Sequence, residues 1–160
     1  MSLPNDIYSQ RILELAASIP RTKRLKSPGA TATAHSKLCG STVTVDLAMK
    51  GDVVIDYGQT VRACLLGQTS ASVMGREIVG SSAAELRAVG AAMRKMLKEG
   101  GPAPSGRWAD LAVLEPVRDY KARHASTLLV FDAVENAIAE IEAKRSAQVK
   151  PPRQVPTPSG

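Results

Sequence analysis

Two side chains in this sequence can act both as nucleophiles and as metal ligands: Cys39, in Leu38-Cys39-Gly40-Ser41, and Cys64, in Ala63-Cys64-Leu65-Leu66. They are its only cysteines. A thiolate ligates soft and borderline metals, accepts a sulfane sulfur, or takes part in thiol redox chemistry. Cys64 stands where a helical pattern begins, so the helix dipole should lower its pKa and make it the more nucleophilic thiol if it is exposed. Cys39 precedes Gly40, whose tolerance of positive φ lets the backbone approach a ligand closely. The plainer alternative for either is a small buried hydrophobe. No Ser-His-Asp spacing, phosphate-binding loop or CxxC pair accompanies them. Asp46 and Asp56 read as outward hairpin residues and not as an acid–base pair.

The elements between the cysteines must bring them together for any joint chemistry. Thr42 to Met49 and Val53 to Tyr57 are β-prone runs joined at Lys50-Gly51-Asp52, which reads as a short hairpin loop. A hairpin folds back on itself, so its ends meet. Ala30 to Leu38 alternates small apolar and polar residues and predicts a first strand, giving a small antiparallel sheet of three. Upstream, Ile7, Ile12 and Leu15 share one face of an amphipathic helix that ends before Pro20, with Asn5 or Asp6 placed to cap it. Past Cys64 the pattern becomes helical through Ile78. Ser82 with Glu85 then forms a capping-box pattern that opens a helix stopped by Gly100-Gly101-Pro102. Trp108 to Leu114 predicts a short helical piece before Pro116. A last long helix begins between His124 and Thr127, with Glu135, Glu140, Glu142 and Lys144 on its wet face. The Pro-rich residues 149–160 read as a disordered tail after one domain spanning 1–148.

At 160 residues and 44% apolar content, the chain suits a single domain with a real core. Aromatic residues are only 3%, so stacking platforms for single-stranded nucleic acid are not expected. The formal charge of +6 gathers largely near the two ends and comes with no recognition motif, so no nucleic-acid partner is expected either. No run reaches the roughly 20 apolar residues of a membrane span, and no signal peptide is visible, so the expected location is cytoplasmic. In that compartment two cysteines are more often free thiols, metal ligands or redox groups than a structural disulfide.

These features resemble the NifU-like, IscU/SufU family of iron–sulfur cluster assembly scaffolds over nearly all of residues 5–145. Tyr8-Ser9-Gln10-Arg11-Ile12-Leu13 resembles the start of the family's N-terminal helix. Leu38-Cys39-Gly40-Ser41 resembles its Cys-Gly-Asp turn, and Cys64 to Met74 its second-cysteine helix. Tyr120 to Leu128 resembles the segment with the third cysteine, in a layout closer to SufU than to IscU. The resemblance implies an α+β fold, a three-stranded antiparallel sheet with helices packed on one side. It also implies that three cysteines and an aspartate converge on a metal or cluster. Here the aspartate position is Ser41 and the third cysteine position is Ser126, which leaves half of that ligand set.

Cys39, Cys64 and His124 are therefore the expected metal ligands. An offset of two along a helix turns a side chain by about 200°, so His124 can replace Ser126 only if the helix has not yet begun there or the register is shifted. His35, on the first strand near Cys39, is a lesser candidate. Arg123 is a candidate to orient a carboxylate or a desulfurase-bound persulfide. The resemblance implies a non-enzymatic scaffold that holds iron, a labile iron–sulfur cluster or transferred sulfur, with a cysteine desulfurase and recipient apo-proteins as partners. Zinc-binding sulfur transfer of the SufU type and a degenerate module without metal are the alternatives. A homodimer would bring four thiolates together.

Overall fold

The computed structural model describes residues 9–149. Strands β1 (Ala30–His35), β2 (Thr42–Lys50) and β3 (Val53–Arg62) form one antiparallel sheet in the order β1-β2-β3. Alternation along β2 puts Val43, Val45 and Leu47 on the inner, fully buried face. The β2–β3 turn is tight, with Lys50 opposite Val53 and Gly51 at φ 62. At the other end of the sheet Thr42 pairs with both His35 and Arg62. That register sets Ser41 and Ala63 side by side.

The first strand is shorter than the alternation predicts. It stops at His35, and Lys37, Leu38 and Cys39 form a turn closed by Gly40 N–H to Ser36 O at 2.9 Å. Gly40, at φ 73, adopts the left-handed conformation this reversal needs.

Helix α1 (Gln10–Ala17) is capped by Ser9, whose hydroxyl accepts from Ile12 N–H at 3.2 Å. The expected caps Asn5 and Asp6 lie outside the described residues, as does the expected Pro-rich tail beyond Val149. Helix α2 (Leu65–Glu77) follows Cys64 at its N-cap. Helix α3 (Ala83–Glu99) opens on Ser82, which accepts from Glu85 N–H, and ends at Gly100 with φ 71. Both of its boundaries match the sequence reading.

The piece expected between Trp108 and Leu114 is instead a run of 3₁₀ turns, Gly106–Asp119, that continues through Pro116. Proline removes the N–H an α-helix would use there, and the tighter turns tolerate its ring. A second 3₁₀ turn, Lys121–Arg123, leads straight into α4 (His124–Val149).

Among the described residues the helices lie on one face of the sheet: α4 packs on β1 and β2, α2 and α3 pack on α4, and α1 packs on α2. Residues 126–131 of α4 are buried all round, because β1 and β2 cover one side while α2 and α3 cover the others. Glu135 is not on a wet face as the pattern suggests; it is partly buried and accepts from Arg94 at 3.0 Å. No helix among the described residues is long and apolar enough to cross a membrane.

The opposite face of the sheet is partly covered by the loop between α1 and β1, and this changes the reading of Asp46. By alternation it points outward, yet its side chain is fully buried beneath Arg24 and Leu25. Its carboxylate accepts from Arg24 Nε at 2.6 Å, Thr31 Oγ1 at 2.6 Å and Leu25 N–H at 3.0 Å. Gln59, on β3, fastens the same loop from within. Its amide donates to Pro20 O and Ala71 O and its carbonyl accepts from Tyr57 Oη.

Burial alone would raise the pKa of Asp46, but the Arg24, Thr31 and Leu25 hydrogen bonds outweigh it and hold the carboxyl below its ordinary value. A depressed folded pKa gives stability that is complete above the unfolded value of about 3.9 and fades as pH falls through the folded one. Asp46→Ala should lower the unfolding free energy in urea at neutral pH by about 1–3 kcal/mol, and the difference from the parent should shrink on acidification toward pH ~3.

Candidate functional site

At the end of the sheet where Thr42 meets Arg62, three pieces of chain converge: the β1–β2 turn, the start of α2 and the start of α4. The turn supplies Cys39 and Ser41, the N-cap of α2 supplies Cys64, and α4 supplies Ser126. The side chains form a continuous row. Cys39 Sγ lies 2.9 Å from Ser41 Oγ, Ser41 Oγ lies 3.3 Å from Ser126 Oγ, and Ser126 Oγ lies 3.0 Å from Cys64 Sγ. Ser36 Oγ adds a contact to Cys39 Sγ at 3.6 Å. The two hydroxyls are buried, while Cys39 is exposed and Cys64 partly so.

Gly67 makes this convergence sterically feasible. A Cβ there would stand 2.8 Å from Ala63 Cβ and 3.0 Å from Ser126 O, closer than packed atoms allow. The bare backbone lets the first turn of α2 press against α4. Ser70 Oγ, one turn further along, donates to Thr127 O at 2.7 Å and fastens the same pair of helices. This accounts for the small-residue run after Cys64.

Proton counting shows what the row can hold. A hydroxyl has one proton to donate. With Cys39 ionised, Ser41 donates to its sulfur, Ser126 donates to Ser41, and the Cys64 thiol donates to Ser126. Every contact is then a hydrogen bond. The mirror arrangement places the charge on Cys64. With both sulfurs ionised and each taking a serine proton, none remains between Ser41 and Ser126, so the row favours one negative charge at a time. The Ser41 hydroxyl, followed by that of Ser36, holds the Cys39 thiol down at about 7, against a smaller opposing effect of burial. Cys64, expected from its position to be the activated thiol, makes no side-chain capping bond to α2, and its sulfur faces Ser126 instead.

The remaining expected site residues lie apart from this row. His124 is buried, and its Nε2 sits 3.1 Å from both Val117 O and Arg118 O. Both neighbours are carbonyls, so Nε2 carries the proton and donates. Helix α4 begins at His124 itself, which is the case in which a two-residue offset turns the ring away from Ser126 by about 200°. Arg123 is exposed; its carbonyl accepts from Thr127 Oγ1. His35 pairs with Thr42 at the end of β1 and is exposed. Among the described residues no three His, Cys, Asp or Glu side chains are grouped to hold a metal ion. Ser36 was not singled out in the sequence; only the turn closed by Gly40 brings it to Cys39.

Iodoacetamide alkylation of Cys39, followed in a Cys64→Ala background, should rise with pH through a midpoint near 7. Ser41→Ala should move that midpoint upward and slow alkylation at neutral pH roughly five- to tenfold, as loss of one hydrogen bond to a charged group requires.

No family model matches the chain. Over 137 residues, 84% of this chain and 94% of the relative, it is 27% identical to the iron-sulfur cluster assembly scaffold protein IscU of Thermotoga maritima. The crystal structure of a nitrogen-fixing NifU-like protein (N-terminal) from Brucella abortus superposes with a TM-score of 0.88 at 59% identity, covering 89% of this chain and 99% of that one. A putative scaffold protein for the SUF system from Fervidobacterium islandicum AW-1 shares the fold, with a TM-score of 0.76 at 21% identity over 84% of this chain and 98% of that one. The residue pattern, the three-stranded sheet with its helices on one face, and the close similarity to the NifU-like structure agree: the chain belongs to the NifU-like, IscU/SufU family.

Proposed function

We propose that this protein is an iron–sulfur cluster assembly scaffold that holds its cargo on Cys39 and Cys64 and passes it to recipient apo-proteins. The observation that supports this reading is the convergence of the two sulfurs on one accessible end of the sheet, joined through Ser41 and Ser126. The protein turns over no substrate of its own. It receives iron and sulfur, the latter from a cysteine desulfurase, and releases them.

The donor set defines how firmly cargo is held. Two thiols are soft ligands suited to iron, zinc or a cluster, but neutral serine hydroxyls are poor ones. A single chain therefore offers two of the four thiolates that a [2Fe–2S] cluster takes. A homodimer with two cysteine pairs facing each other completes the set, and a labile cluster is the expected cargo. His124 enters only if the first turn of α4 rearranges.

Sulfur acceptance is the second reading, favoured by the exposure of Cys39 and its pKa of about 7. The Cys39 thiolate attacks the terminal sulfur of a desulfurase persulfide. The new S–S bond forms as the old one breaks, and the donor cysteine leaves as a thiolate, so no external oxidant or reductant is needed.

Anaerobic reconstitution with iron and sulfide should give visible cluster absorbance that is lost in both Cys39→Ala and Cys64→Ala, with a dimer in light scattering. A cysteine-independent spectrum would overturn the scaffold site. Stoichiometric zinc in the protein as isolated, with no cluster, would instead favour sulfur transfer. Restoring the family's ligand types with Ser41→Asp and Ser126→Cys together should convert a chain that retains little zinc into one that retains about one zinc per chain, measured by elemental analysis.

A further inference from the structure

We propose that the cleft between the C-terminal end of α3 and the start of α4 binds a small phosphate-bearing anion. The cleft has a volume of about 420 Å³ and is lined by Leu97, Lys98, Arg118, Lys121, His124 and Ala125. That size falls within the roughly 300–1,000 Å³ of small-molecule sites. Four of its six lining residues are basic or imidazole and none is acidic.

What sets these cations apart is that they share one concavity whose lining holds no carboxylate. Several arginines elsewhere are matched to carboxylates, Arg24 to Asp46, Arg76 to Asp110, Arg87 to Glu142, and Arg94 to Asp132 and Glu135. In the cleft, neither Lys98 nor Lys121 has a carboxylate partner among the described residues, and Arg118 has only a long 3.7 Å contact to Glu115. Like charges drawn into one concavity repel unless an anion balances them. A cation in the last turn of α3 suits the helix dipole there, which accounts for Lys98 alone. It does not account for Lys121 or Arg118, which come from the 3₁₀ turns.

The chemistry suits phosphate. Arg118 offers a planar fork for two phosphate oxygens, and the lysines add compact point charges. His124 and Ala125, the first residues of the 26-residue α4, bring the positive end of its dipole into the wall. The wall is braced, because His124 Nε2 ties it to the carbonyls of Val117 and Arg118. Leu97 and Ala125 leave an apolar patch for the uncharged part of a ligand.

Calorimetric titration with inorganic pyrophosphate, at a constant ionic strength near ~0.15 M to screen loose surface attraction, tests the site. The expected result is saturable binding of one pyrophosphate per chain, with chemical-shift changes at the Lys121 and Ala125 amides. Lys98→Ala combined with Lys121→Ala should weaken it at least tenfold, while Lys23→Ala, in the loop on the far face of the sheet, leaves it unchanged. Both substitutions are at exposed positions, and far-UV circular dichroism checks that the fold persists. Absence of saturable binding, equal weakening by Lys23→Ala, or citrate binding as tightly as pyrophosphate would each overturn the proposal. The double variant Cys39→Ala/Cys64→Ala should bind pyrophosphate like the parent, which separates this inference from the proposed scaffold role.

Discussion

The hydrogen bond between Ser41 and Ser126 joins residues 85 positions apart in sequence, and the candidate site depends on it. It forms only because the β1–β2 turn, the first turn of α2 and the first turn of α4 are pressed together. Small residues permit the pressing. Gly67 removes the atom that would keep α2 from α4, and Gly40 reverses the chain tightly enough to bring Ser36 and Ser41 against one sulfur. The surroundings hold the arrangement in place. β1 and β2 support α4 from one side, and α2 and α3 enclose it from the others.

The same geometry explains the character of the two thiols. Hydroxyl groups flank both sulfurs and can donate protons to them. A serine beside a thiolate stabilises charge without binding a metal strongly. The row of four side chains consequently favours a single exposed thiolate at Cys39, with the second sulfur connected to it through three successive hydrogen bonds.

Basic residues play contrasting physical roles in different parts of the molecule. Those paired with carboxylates fasten elements: Arg24 clamps a loop over the sheet through Asp46, and Arg94 joins α3 to α4 through Asp132 and Glu135. The cations around His124 have little such pairing and share one open cleft. His124 itself braces the wall of that cleft, since its proton is committed to two carbonyls at the end of the 3₁₀ run.

Local chemistry alone determined much of the architecture. Alternation around a Gly-Asp turn specified the β2–β3 hairpin, and Ser82 with Gly100 marked both ends of α3, because caps and turns act over a few neighbouring residues. That the cysteines lie close to Ser41 and Ser126 was legible through the resemblance to the family pattern. Tertiary structure decided the rest. Asp46 became buried because a loop from elsewhere in the chain lies over it, and the helical piece near Trp108 wound as 3₁₀ turns through Pro116. Ser36 reached Cys39 through a turn that alternation read as strand, and His124 faced away because α4 begins at that residue. Each of these outcomes depends on how distant segments pack or on where an element begins, and neither packing partner nor boundary is fixed by side-chain periodicity.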